Sequence, residues 1–313
     1  MRSSPVSYGA ESFEMTAAAP YRLEMCACPL CGEPPPTKTR AAFGPYRVVD
    51  CRSCSMRYLT PRVQECDVPR LYGSEDYWEK GGSKGGYSSY ASMEPLFVRT
   101  FVRRLSLLPP HAPGARLLDV GCGPGAGLEA ARSLGYDAWG LDVSESAVAV
   151  SSSRHPGRAR LGTLSDRLFS RGFFDVITLF DVIEHIYDPR ALAVDLAWHL
   201  APEGRVLVAT PNVKSLLARV TGRRWVSYKI PEHVAYFSPL TLAEALAPGL
   251  EIEHVSSCGQ YVSPDFLLSR IGDALPLGGG LLRAVSRFLP PGRAAVYANS
   301  GSMLVTARRS PAP

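Results

Sequence analysis

Apolar positions in the second half of the chain recur as short runs separated by polar or glycine-rich segments. Residues 116–120 (RLLDV), 138–141, 159–164, 175–180 (DVITLF) and 206–210 are nearly continuous runs, with 159–164 the weakest. Strands buried on both faces of a parallel sheet read this way. Residues 250–255 alternate apolar and polar, and 302–307 is again apolar and β-prone, so both are expected to be strands. Between the runs the period becomes helical, with Leu128, Ala131, Leu134 and Gly135 in one stretch and Ala147, Val148 and Val150 as the inner face of 144–153. Residues 93–108 place Leu96, Phe97, Phe101, Leu105 and Leu108 on one side of a helix that Pro109, Pro110 and Pro113 end. Two further apolar helical stretches, FLLSRIGDAL and LLRAVSRFL, lie within 266–297. They are read first as extra core, and otherwise as a cover over a substrate or as a dimer or membrane-surface contact. Strands alternating with helices predict an α/β fold with an open, Rossmann-like sheet.

The stretch from 116 to 142 concentrates the chemistry. Gly121, Gly123 and Gly125 follow the first strand, where a backbone free of Cβ atoms can take positive φ and approach a ligand closely. A helix opening at such a turn presents N–H groups and a positive dipole end to an anionic group. Asp142 ends the next strand, where an acid can accept two hydrogen bonds from a ribose diol. A glycine turn alone also fits an NAD site or a purely structural βαβ unit. In open parallel sheets ligands sit at the carboxyl ends of the strands, so Asp119, Asp142, Leu164, Phe180 and Asp181 are expected on one rim.

Eight cysteines are present, and four fall in paired spacing: Cys28 and Cys31, then Cys51 and Cys54. Two C-x2-C knuckles can close a tetrahedron around one zinc ion, with no position left open for catalysis. A structural zinc ribbon over 26–62 is therefore expected, with strand character at 43–49 and Cys26 as a spare thiol. Cys66, Cys122 and Cys258 are read as packing residues. Residues 1–25 are expected to be a disordered tail, and 63–115 a linker helix preceded by a segment rich in tyrosine and glycine. Tyr77 and Tyr87, with Trp78 and Tyr90, either close over a cofactor or pack as an ordinary surface loop.

The chain of 313 residues, 46% hydrophobic and 20% charged, suits one large α/β domain with a small module. Its net charge of +5 comes with arginine greatly outnumbering lysine but no basic block. No nucleic-acid partner is expected on that ground; anionic small molecules fit as well. Residues 1–25 lack an apolar signal core, and no stretch reaches the ~20 apolar residues of a membrane span. A reducing, cytoplasmic location is expected.

With Asp119 two places before its first glycine, D-V-G-C-G-P-G resembles motif I of the class I S-adenosylmethionine (SAM) methyltransferases. That resemblance implies SAM as cofactor, a sheet of order 3-2-1-4-5-7-6 with the seventh strand antiparallel, and a domain over 116–313 carrying a helical insert at about 258–299. It implies cofactor contacts from Asp119, Gly121, Gly123, Gly125, Asp142, Val143, Leu164, Phe180 and Asp181, with Tyr77 and Tyr87 as a lid. The runs FDVITLFDVIEHIYDP and PEHVAYFSPLTL resemble a bacterial methyltransferase family that often carries an N-terminal zinc ribbon. The Glu232-His233 pair is similar to the acid/base pair of sugar C-methyltransferases. D-x-x-E-H with a distant histidine is similar to the metal set of ubiquinone-pathway O-methyltransferases and small-RNA 2′-O-methyltransferases, which implies a divalent ion at Asp181, Glu184, His185 and His233. One helical turn would put Asp181, Glu184 and His185 on one face. A methyl acceptor must lose a proton as the new bond forms, a task suited to His185 or His233. The expected activity is methyl transfer to a hydroxyl or carbon of a small molecule. Cyclisation or cleavage of SAM itself, and RNA 2′-O-methylation, are the alternatives. Trp225, Tyr228, Tyr236 and Phe237 are expected around the acceptor or over the sheet edge.

Overall fold

The computed structural model describes residues 21–72, 90–274 and 295–310. Residues 1–20 of the expected tail, Tyr77, Tyr87 and the LLRAVSRFL stretch lie outside the described residues, whereas 23–24, expected in that tail, form a strand. The chain begins with β1 (Leu23–Glu24), the hairpin of β2 (Thr39–Phe43) and β3 (Tyr46–Asp50), then β4 (Arg57–Leu59) and β5 (Arg62–Val63). The expected strand at 43–49 is thus split. Gly44 and Pro45 turn the chain, with Gly44 at φ 58°, and Phe43 pairs with Tyr46 across the turn.

The large sheet is built from β6 (Arg116–Val120), β7 (Asp137–Asp142), β8 (Ala159–Leu161), β9 (Phe174–Phe180) and β10 (Leu200–Pro211). After the two-residue β11 (Ala235–Tyr236), which leaves this sheet for the ribbon, β12 (Leu250–Val262) and β13 (Val296–Arg309) complete it. The order is β12-β13-β10-β9-β6-β7-β8, with β13 antiparallel to both neighbours, as expected. β8 stops at Leu161 because Gly162 takes φ 140° and Thr163 opens a capped turn. β12 and β13 run on to Val262↔Val296 through a register shift between Cys258 and Gln260, so the ladder extends into the range assigned to the insert. The helix Pro264–Ala274 follows it.

Alternate residues of the central strands feed two cores. Leu118, Ile177, Leu179, Val206 and Val208 face one side, with the helices Pro189–His199 and Pro239–Leu246. Leu117, Val176, Leu207 and Ala209 face the other, with Tyr90–Leu105 and Ala126–Ser133. Period-two alternation on a sheet covered on both faces produces this division. The helix Glu145–Arg154 buries Ala147 and Ser151; Val150, expected inside, is exposed. Cys122 and Cys258 pack in the second core as expected, whereas Cys66 is exposed.

The helix Ala126–Ser133 lies so close to β6 that a Cβ on Gly127 would run into Asp119 Oδ2. Gly127→Ala should therefore destabilise the fold by about 1–3 kcal/mol, as overpacked sites do. Urea unfolding checks this, and an unchanged midpoint would show that the helix can move away.

Candidate active site

At the end of β6 the chain turns through Gly121 at φ 70°, Gly123 at 51° and Gly125 at 104°. Residues with a Cβ meet steric penalties in this region. A Cβ on Gly121 would also lie 2.5 Å from Val182 Cγ2, so the turn abuts the segment that follows β9. The Gly121 N–H donates to the Leu141 carbonyl at 2.7 Å. Asp142 Oδ2 accepts the Gly123 N–H and Oδ1 the Ser144 N–H, each at 2.8 Å. The acid expected to grip a ribose thus also braces the turn. Each carboxylate oxygen retains a further lone pair. Burial pushes the Asp142 carboxyl up, and these backbone bonds oppose the shift. Val143 beside it is exposed, whereas Leu164 is buried in the core.

Asp119 is buried, and its Oδ1 accepts the Thr178 hydroxyl at 2.7 Å. Its carboxyl is pushed up to about 7, first by burial and further by the charge of Asp142, against the Thr178 bond. It faces the underside of the helix Ala126–Ser133, at Gly127.

Beyond β9, the expected helical turn is only a 3-10 turn, Ile183–His185. Asp181 precedes it in the left-handed region at φ 58°, a conformation aspartate tolerates better than most residues. Its carboxylate turns to Arg104, with Oδ2 3.3 Å from Nη1, and the buried guanidinium lies 5.1 Å over the Phe180 ring. Asp181 therefore stands outside the group expected to include it. One ligand atom from each of Glu184, His185 and His233 lies within 4.8 Å of the others.

Within that group His185 Nδ1 donates to the Glu232 carbonyl at 3.0 Å. A carbonyl only accepts, so neutral His185 carries its proton on Nδ1 and presents a lone pair on Nε2. The His233 ring meets it edge to face at 4.7 Å, with His233 Nε2 3.9 Å from Glu184 Oε1. Glu184 Oε2 accepts the Thr210 hydroxyl at 2.9 Å. Glu184 Oε1 and His233 Nδ1 are buried without a hydrogen-bond partner of good geometry among the described residues. Burial first, then the Lys229 ammonium, push His185 down to about 4; burial, His185 and Lys229 push His233 well down. Burial and Asp181 push the Glu184 carboxyl up to about 8. Both histidine shifts favour the neutral imidazole. Glu232, expected as an acid or base, meets His185 through its main-chain carbonyl.

In the ribbon, one sulfur from each of Cys28, Cys31, Cys51 and Cys54 lies within 4.8 Å of the others, with Cys28–Cys54 and Cys31–Cys51 at 3.5 Å. Four thiolates on zinc at ~2.3 Å would be roughly 3.8 Å apart, so the donor set fits that ion. Cys26 stays outside the set, with its thiol directed at the Leu59 carbonyl. Trp225, Tyr236 and Phe237 are buried, with Trp225 and Tyr236 packed against Val48 and Leu59 of the ribbon sheet.

Residues 90–255 match the family model of a methyltransferase domain, which spans more than half of the chain. The chain belongs to the class I SAM-dependent methyltransferases. This methyltransferase is 32% identical over 168 residues to the ubiquinone biosynthesis O-methyltransferase of Thiobacillus denitrificans, covering 49% of this chain and 72% of that one. The enzyme of that name from Burkholderia pseudomallei is 30% identical over 200 residues, covering 58% and 85%. A chain in the complex of the Haloferax volcanii Trm112 methyltransferase activator with a methyltransferase superposes at a TM-score of 0.50 and 19% identity. It covers 70% of this chain and 92% of that one, a likeness of fold alone.

Sequence reasoning missed Thr178, Thr210 and Arg104. Arg104 carries a readable signal, since it continues the apolar face at Phe97 and Phe101 by helical spacing.

Asp119 binds its proton more tightly in the folded methyltransferase than in the unfolded chain, whose carboxyls titrate near ~3.9. Folding stability contributed by this group is present below about pH 4 and is lost as pH rises toward about 7. Asp119→Asn should flatten the fall in stability between those limits, measured by urea unfolding of cofactor-free protein across pH. An identical slope in the variant would contradict the assignment.

Proposed function

We propose that this methyltransferase moves the SAM methyl group to a hydroxyl of a small organic acceptor, whose proton passes to a histidine. The observation that carries this reading is the group of buried Glu184 and His233 with half-buried His185, set over the carboxyl ends of β9 and β10 and abutting the glycine turn through Val182. Hydroxyl acceptors are favoured because the curated relatives are O-methyltransferases. In this reading the Gly121–Gly125 turn holds the amino-acid part of SAM, and Asp142 takes the ribose hydroxyls with its remaining lone pairs. Val143 borders the adenine, and Asp181, steadied by Arg104, lies toward the amino group. His185, its tautomer set by the Glu232 carbonyl, offers Nε2 to the acceptor proton as the oxygen attacks the sulfonium methyl in line. His233 and Glu184 hold the second imidazole beside it. The knuckle cysteines hold a structural zinc, which cross-links the two turns.

A second reading is favoured by the ligand atoms of Glu184 and His233, which lie, with one of His185, within 4.8 Å of one another. With His185 they suit a divalent cation, which would lower the pKa of an acceptor oxygen.

His185→Ala should lower kcat by about 10²–10⁴-fold, the usual weight of acid–base catalysis, with SAM affinity by calorimetry unchanged. Wild-type activity in the variant would refute the histidine role. Dialysis against EDTA, with zinc per chain measured, separates the two readings: activity that survives favours the metal-free base, and activity lost while the ribbon zinc is retained, then restored by one divalent cation, favours the metal.

A further inference from the structure

The ribbon sheet does not close within the ribbon. Its order is β11-β4-β3-β2, so its edge is a strand from the second half of the chain. β4 leaves the second cysteine knuckle directly, and the Cys51 N–H donates to the Met56 carbonyl at 2.8 Å just before it. Ala235 pairs with Tyr58 and Tyr236 with Arg57. The Leu59 N–H donates to the Val234 carbonyl at 2.9 Å, and the Val234 N–H donates to the Glu184 carbonyl at 2.9 Å. A line of main-chain hydrogen bonds thus runs from the knuckle strand to the Glu184 backbone. The Tyr236 hydroxyl donates to the His233 carbonyl at 2.9 Å, and its ring is wedged edge-on against Tyr228 at 5.1 Å. The Tyr228 hydroxyl accepts from Arg57 at 3.3 Å, and Asp50 pairs with that arginine at 2.6 Å.

We propose that the cysteine ribbon sets the position of the two histidines, with Tyr236 as the positioning residue that fixes the His233 backbone. This rests on the histidine role proposed above. β4 and β11 are too short to persist alone, since an isolated pair of short strands is marginal in water. The thiolate cross-link at Cys51 and Cys54 anchors β4, and β4 is the template for Val234 to Tyr236. Releasing it frees the Glu232 carbonyl that sets the His185 tautomer and the loop that carries His233. The glycine turn is held by β6 and β7 and meets the histidine segment at the Val182 side chain, so cofactor affinity should depend little on the ribbon. Displacement of a reacting group by about 1 Å can cost on the order of 10²-fold in rate.

Three variants of the full-length protein, purified with its native metal content, test this. Zinc per chain is measured by mass spectrometry, SAM affinity by calorimetry, and amide hydrogen exchange by NMR. Cys51→Ser should lose the single zinc and speed exchange at Leu59 and Val234, with exchange in β6 and β7 and SAM affinity unchanged. Tyr236→Phe keeps the ring and the zinc; it should lower kcat at least about tenfold with SAM affinity within about twofold. Unchanged exchange at Leu59 and Val234 in zinc-free Cys51→Ser, or full kcat in Tyr236→Phe, would overturn the coupling. If Cys51→Ser does not fold, Tyr236→Phe decides alone. His185→Ala separates the two ideas: an active variant refutes the histidine role, while the exchange data still judge the ribbon.

Discussion

The Asp142 carboxylate receives one N–H from the glycine turn and one from the start of the next helix, and the rim of the sheet depends on that pair of bonds. They tie the end of β7 to the end of β6. The turn can come this near only because Gly121, Gly123 and Gly125 occupy backbone conformations that side chains resist. Asp119 closes the arrangement from beneath, where it fills the space left by Gly127 and is held by Thr178. In this buried crevice burial raises the proton affinity of both carboxyls, and the charge of Asp142 raises that of Asp119 further. A ligand carrying positive charge would relieve that cost, which suits a sulfonium cofactor.

The second half of the site is assembled by different means. No glycine fingerprint marks it, and its groups come from segments far apart in sequence. A 3-10 turn after β9 supplies Glu184 and His185, and the segment ending in β11 supplies Glu232 and His233. Thr210 on β10 holds the glutamate, and the cysteine-bearing sheet holds β11. The ribbon is therefore continuous with the site by hydrogen bonding and by a shared core containing Cys28, Cys51, Tyr58, Val234 and Phe237.

The large sheet was legible in the sequence because strands buried on both faces read as unbroken apolar runs, and DVITLF and RLLDV are such runs. The cysteine cluster was legible because paired spacing has few other uses. The split at Gly44 was written in a Gly-Pro pair and passed over. Asp181 was misplaced because three-and-four spacing assumes a regular helix, whereas a left-handed residue and a 3-10 turn occur there instead. β11 could not be read, since two residues carry no period and their partner lies far back in the chain. The same is true of the Glu232 carbonyl on His185: side-chain chemistry marks a glutamate as an acid, and nothing in a sequence marks a backbone oxygen.

The central claim is that one crevice holds the cofactor's ribose at Asp142 and directs its sulfur toward His185 and His233. A crystal structure of the protein with S-adenosylhomocysteine tests it most directly. The expected result is a ribose diol bonded to Asp142 and a sulfur on the histidine side of the Gly121 turn. An empty crevice, or a sulfur turned away from both imidazoles, would contradict it.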